Sequence, residues 1–143
     1  MKIFTIGFTK SSAQRFFERI KNSGASTLLD VRLNNVSQLA GFAKRDDLRY
    51  FSSEICRIPY RHEPRLAPTK PLLDLYKKGN GKWDDYARDF VSLMSERHIE
   101  NLERSSVEGA CLLCSEDMPH HCHRRLVAEY LSEKWGGVDI VHL

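Results

Sequence analysis

The chain has 143 residues, 41% hydrophobic and 29% charged, with a net charge of +3. That is enough chain to bury a core without disulfide or metal staples, and no apolar run nears the roughly 18 residues of a membrane-spanning helix. The slight charge, scattered apart from groups at residues 57–65 and 120–125, argues only weakly for nucleic acid, and four cysteines behind an N-terminal apolar run too short for a signal peptide suggest cytoplasmic thiols, metal ligands or catalytic groups rather than a disulfide framework.

Residues 2–6 form a short β-type run closed by Gly7. A helical pattern follows Ser11 and Ser12, with Phe16, Phe17 and Ile20 apolar and Gly24 as the stop. Residues 26–31 read as a second strand that ends in Asp30, Val31 and Arg32 before turning polar at Asn34 and Asn35. A helix over about 46–54 and a short strand over about 57–61 come next. Pro59, Pro64, Pro68 and Pro71 then break regular structure, which makes 62–70 an irregular loop, and Gly79-Asn80-Gly81 is a turn.

From Trp83, the residues Tyr86, Ala87, Phe90, Val91, Leu93 and Met94 recur at helical spacing to about His98, a stripe whose ordinary role is core cover. Residues 110–114 are continuously apolar, as in a central parallel strand buried on both faces. Pro119 suits the first turn of the next helix, with Ser115 or Asp117 as its cap and Leu126, Val127, Tyr130 and Leu131 continuing it to Gly136. Residues 138–143 form a last strand. Strands alternating with helices predict an α/β fold, a single domain over 1–143 built on a mostly parallel sheet with helices on both faces.

In such a sheet ligands bind where strands end and helices begin, and helix N–H groups there favour an anion. The stretch from Cys111 to Arg125 is the richest such place. Cys114 sits at a strand exit, and Cys122, Leu126 and Tyr130 follow at intervals of four, which puts Cys122 on the sheet-facing side near a helix N-terminus that would lower its pKa. The ordinary alternative for Cys114 and Cys122, and the preferred one for Cys56 and Cys111, is a small buried hydrophobe.

As metal ligands, Cys114, Cys122 and His123 would need His62, His120, His121 or His142 to complete a set. There is no Cys-x-x-Cys, and consecutive helix residues point about 100° apart, so no metal is assigned. Asp30 and Arg32 end a strand expected to neighbour the first, which sets them to meet Gly7, Thr9 and the Cys114 loop; there Arg32 suits a phosphate or carboxylate and Asp30 would orient it or act as a base, and a local ion pair is equally in keeping. Glu116 reads as an acid or base, or simply as a charge favouring the helix dipole. Of the histidines, His98 reads as surface and His120 and His121 as solvated. His62 and His123 are the better candidates, and His142 reaches the crevice only if its strand ends on that side. No serine-triad elbow, Walker loop or dinucleotide fingerprint is present.

Thr5-Ile6-Gly7 with Thr9, Leu29-Asp30-Val31-Arg32, Gly41-Phe42, Tyr60 with His62, Leu112-Leu113-Cys114 with Glu116, Cys122-His123-Arg124 and the terminal Ile140-Val141-His142 together resemble the family catalogued as domain of unknown function four-eight-eight. The resemblance spans nearly the whole chain and implies a modest α/β fold with a polar cluster built from these motifs, and no established activity. The chain departs from that pattern at Phe8 and Thr9, where the family has a histidine or tyrosine and then a serine, and in the stretch 34–37, which lacks a proline common after Asp-Val-Arg. Asp30-Val31-Arg32 followed by a strand-end cysteine is also similar to the rhodanese and dual-specificity phosphatase layout. Here, however, Cys114 is followed by Ser115, Glu116 and Asp117, whose carboxylates would repel sulfate or phosphate.

The leading expectation is an enzyme with a crevice for a small anionic or nucleotide-like ligand. Asp30, Cys114, Glu116, Cys122 and His123 are its catalytic candidates, and Thr9, Arg32, His62 and Arg124 its ligand-binding candidates. The alternatives are a nucleic-acid module using Arg57, Arg61, Arg65, Lys70, Lys77 and Lys78, and a metal-binding or thiol redox protein using Cys114 and Cys122. No membrane partner is expected, and the sequence names no cofactor, substrate or oligomeric state. All three readings assume that the strands bearing Asp30 and Cys114 end side by side under the start of the last long helix.

Overall fold

The computed structural model describes residues 1–36, 41–116 and 118–143. Five parallel strands form one sheet: β1 (Lys2–Gly7), β2 (Thr27–Asp30), β3 (Tyr60–His62), β4 (Ala110–Cys114) and β5 (Asp139–His142), in the order β3-β2-β4-β1-β5. The helices are α1 (Ala13–Ser23), α2 (Arg45–Cys56), α3 (Lys70–Lys77), α4 (Trp83–Glu96) and α5 (His123–Trp135). Among the described residues no helix is long and apolar enough to cross a membrane.

Alternation along the strands splits the core into two layers. Leu28, Ile6 and Leu113 pack with Phe16, Phe17 and Ile20 of α1 and Leu48 of α2, whereas Leu29, Ile3 and Leu112 pack with Phe90 and Met94 of α4 and Val127 and Leu131 of α5. Links that step along the sheet toward β3 place α1 and α2 on one face, and links that step back place α3, α4 and α5 on the other, as right-handed crossovers require. β4 lies between β1 and β2, so the Asp30 strand does not neighbour the first as the sequence suggests, because the chain returns from β3 into the middle of the sheet; adjacent strands β2 and β4 send their chains to opposite faces. A crevice opens beyond their carboxyl ends, at the position where doubly wound sheets bind ligands.

The local signals for α1 hold: Ser12 caps it by accepting from the Arg15 N–H, and Gly24 ends it at φ 79°. Three boundaries differ from those the sequence predicts. The chain at 57–61 is not a strand throughout, because α2 runs on to Cys56, Arg57 closes it in a left-handed conformation and β3 begins only at Tyr60. The expected loop 62–70 includes a short 3-10 turn, Pro64–Leu66, and Lys70 opens α3, a helix that the run of prolines conceals. Pro71 occupies a first-turn position where its absent N–H costs nothing, and Thr69 caps the helix by accepting from the Leu72 N–H. Pro119 is not in the first turn of α5. That helix starts at His123 behind Cys122, whose side chain makes no capping bond, so Ser115 is not its cap; Asp117 and Ser37 lie outside the described residues.

Candidate functional site

β2 and β4 are paired neighbours, with Asp30 opposite Leu113 and the Val31 N–H bonded to the Leu113 carbonyl at 3.1 Å. Their carboxyl ends open together into a cavity of about 190 Å³. Arg32, Leu33 and Asn34 come to it from the end of β2, Cys114, Ser115 and Glu116 from the end of β4, and His121, Cys122 and His123 from the approach to α5. Tyr76 and Lys77 of α3 and Tyr86 of α4 close the remaining side.

Cys114 follows Leu112 by two residues and so faces the α3–α5 layer. Cys122 is extended, at φ −134° and ψ 138°, and His123 is the first residue of α5. Because Cys122 stands outside the helix, the two consecutive side chains do not diverge as helical neighbours would. The donor atoms of Cys114, Cys122 and His123 all lie within 4.8 Å of one another, and all three residues are buried. Cys114 Sγ is 3.5 Å from His123 Nδ1. His123 Nε2 lies 2.6 Å from the Val31 carbonyl, an acceptor only, so Nε2 carries the proton in the neutral ring and Nδ1 presents its lone pair to the thiols. Phe90 packs against the imidazole at 5.4 Å between ring centres.

The two thiols are inequivalent. A hydrogen bond from Cys122 outweighs burial and holds the Cys114 pKa below the ordinary thiol value, helped by the Ser115 backbone and the Arg124 charge. Burial, reinforced by Cys114, pushes Cys122 well above it. Cys114 is therefore the first to ionise, as a thiol placed against a hydrogen-bond donor and a nearby cation should be.

Behind the cavity wall lies a polar group centred on the Asp30 carboxylate. Arg32 binds Asp30 through Nε at 2.9 Å and Nη2 at 2.8 Å, with Arg32 3% exposed and Asp30 0% exposed. The Tyr60 hydroxyl donates to Asp30 Oδ2, the oxygen that Arg32 Nη2 also binds, and accepts from Asn35 Nδ2 at 3.1 Å. Burial and the hydrogen bond to Asp30 push the Tyr60 phenol well above its ordinary pKa. Asp30 does not line the cavity; it backs the residue that does. His62 Nε2–H donates to the Arg32 carbonyl at 2.8 Å, which fixes the chain rather than the cavity.

The structure thus brings Arg32, Cys114, Glu116, Cys122 and His123 together and leaves Thr9, Asp30, His62 and Arg124 outside the cavity wall. Thr9 holds the Ser115 carbonyl through its backbone N–H, at 3.0 Å, and its hydroxyl, and Arg124 donates to the Glu116 carbonyl, so both shape the loop after β4. Gly7 shapes the same loop by leaving room for it, since a Cβ there would overlap the Glu116 carbonyl oxygen. Glu116 forms a half-exposed ion pair with Lys77 at 3.1 Å on the rim. His121, exposed as expected, stacks on Trp83 and still lines the cavity. His142 contacts Thr5 on β1, away from the three donors.

Tyr76, Tyr86 and Lys77 are walls that the helical stripe and the scattered charges did not reveal, and Tyr60 reaches Asp30, with Asn35 on Tyr60, only through packing between separate elements. Of the six cations considered for nucleic acid, five are engaged locally. Arg61 binds the Ser106 carbonyl, Arg65 pairs with Glu63, Lys70 and Lys78 with Asp74, and Lys77 with Glu116.

A family model described as domain of unknown function DUF488 matches residues 12–131. The matched span contains Asp30, Arg32 and the three donors, while β1 and β5 fall outside it. No curated protein and no solved structure matches the chain.

Proposed function

The chain belongs to the DUF488 family, and for this member we propose that Cys114, Cys122 and His123 hold a transition-metal ion beside a cavity that admits a small ligand. The observation that carries this reading is the convergence of two sulfurs and one imidazole lone pair within 4.8 Å, with the far nitrogen of the ring tied to a backbone carbonyl. A carbonyl holding the outer N–H is the usual way a ligating histidine is oriented. Two thiolates cancel the charge of a divalent ion, so the buried centre carries no net charge to desolvate. Thiolate and imidazole together favour zinc.

Three protein ligands leave one position for water or substrate, the pattern of catalytic rather than structural zinc. The function that follows is a metal-dependent enzyme, with the ion as the Lewis acid when bound. Within the protein, Arg32 orients the ligand, Asp30 and Tyr60 hold Arg32, and Glu116 takes or gives a proton from the rim. Protein isolated without chelator and equilibrated with micromolar zinc should hold one zinc ion per chain, and Cys114→Ser, Cys122→Ser or His123→Gln should lose it while keeping the circular dichroism of the parent. A parent chain that takes up no zinc would overturn the reading.

The lowered pKa of Cys114 supports a second reading, in which Cys114 is a nucleophile and His123 Nδ1 accepts its proton. Alkylation by iodoacetamide separates the two: zinc should protect Cys114 under the first reading and leave its rate unchanged under the second.

A further inference from the structure

Tyr86 is a buried polar residue that the three donors leave unused. It sits in the first turn of α4, 4% exposed, with its ring held by three others: Tyr76 stacks on it at 4.7 Å between ring centres, Trp83 tilts against it at 5.5 Å, and Phe90, one turn further along α4, stacks at 6.1 Å. Phe90 in turn packs against the His123 imidazole. A ring wedged in such a stack has its position fixed before a ligand arrives.

Buried phenols ordinarily find a hydrogen-bond partner. The Tyr86 hydroxyl makes no hydrogen bond with any described residue and is not enclosed, so its O–H opens onto the cavity that Tyr86 lines together with Cys114, Cys122 and His123. Both thiols lie close enough to act on the phenol by charge, and neither is hydrogen-bonded to it. Burial, reinforced by Cys114 and then Cys122, raises the phenol well above its ordinary pKa, so the group stays a donor. What the O–H lacks is an acceptor, and the cavity of about 190 Å³ is where one fits. The three donors would hold an ion from the protein side and leave its open position toward that same space.

We propose that Tyr86 is a ligand-positioning residue of the metal centre, its hydroxyl donating to the atom that takes the fourth coordination position. This deepens the metal-centre reading and rests on it. The ligands such a donor selects are small ones whose metal-bound atom keeps a further lone pair, such as hydroxide, a carboxylate or azide. A ligand that spends its only lone pair on the ion, such as imidazole, gains nothing from the hydroxyl.

Azide and imidazole are the probes, each titrated anaerobically into protein loaded with cobalt(II), which takes the place of zinc and reports its own ligands by visible absorption. Tyr86→Phe keeps the ring stack and removes only the oxygen. It should load cobalt with the thiolate-to-cobalt absorption and circular dichroism of the parent, bind azide at least about fivefold more weakly, as expected for a hydrogen bond to a charged acceptor, and bind imidazole within about twofold of the parent. Azide affinity within about twofold of the parent, azide and imidazole weakened alike, or a cobalt-loaded parent with no saturable azide response would each overturn this inference while leaving the metal centre standing. A parent chain that loads neither zinc nor cobalt would overturn the metal reading and this inference with it.

Discussion

The two groups that meet at the carboxyl edge of the sheet differ in how completely their polar atoms are satisfied. Around Asp30 both carboxylate oxygens are engaged, by Arg32 and Tyr60, and Tyr60 is in turn engaged by Asn35. Around Cys114 two sulfurs and an imidazole lone pair face each other with few protons to share. The first group is a buried ion pair with its carboxylate satisfied, and it holds the end of β2 in place. The second is a set of electron-pair donors short of an acceptor, which is what a metal supplies. Proximity to the same crevice does not make the two groups equivalent.

That contrast is broken most forcefully at Asp30. Asp30→Ala strands a buried guanidinium and should cost about 3–5 kcal/mol in denaturant unfolding, the range for removing one partner of a buried pair. Cys122→Ser in the zinc-free protein should cost much less and abolish zinc binding instead. Equal losses of stability at the two positions would erase the distinction.

Gly7→Ala tests the support under the second group. The new methyl collides with the Glu116 carbonyl and must push the loop after β4 aside, so a loss of about 1–3 kcal/mol is expected together with weaker zinc binding. Unchanged zinc affinity would show that the loop does not position the donors.

Titration sharpens the comparison without mutation. Burial raises the pKa of Cys111 and Cys122 in the folded chain, so above the ordinary thiol value of about 8.5 the unfolded chain releases protons first and binds fewer of them. The slope of stability against pH is then negative, and zinc-free protein should weaken as pH rises through that value. Zinc binding displaces the thiol protons, so zinc affinity should rise with pH up to the same region. Urea midpoints measured across that range with and without zinc should therefore diverge, and parallel curves would count against thiolate ligation. The smallest effect is reserved for the rim, where Lys77→Ala breaks a half-exposed ion pair and should change stability by less than about 1 kcal/mol.

Much of this was legible in the residues. The apolar run 110–114, the Ser12 and Gly24 signals around α1 and the stripe of Tyr86, Phe90 and Met94 specify their elements locally, and the alternation of strands with helices specifies the parallel sheet. The adjacency of Asp30 and Cys114 needs β4 placed between β1 and β2, a strand order that alternation alone does not specify. What sequence could not supply was local geometry at two prolines and one cap. Pro71 starts a helix rather than preventing one, and Pro119 precedes a helix by four residues rather than entering it.

The second misplacement matters for the site. With Cys122 read as helical, Cys122 and His123 diverge and the metal set looks poor; with Cys122 extended they converge. Tyr60 and Tyr76 belong to the site through packing across elements, and no local pattern marks such contacts.

X-ray absorption at the zinc edge of the loaded protein tests the central claim most directly. Cys114, Cys122 and His123 as ligands predict a first shell of two sulfurs and one imidazole nitrogen, completed by one light atom. A shell of nitrogen and oxygen alone would contradict it.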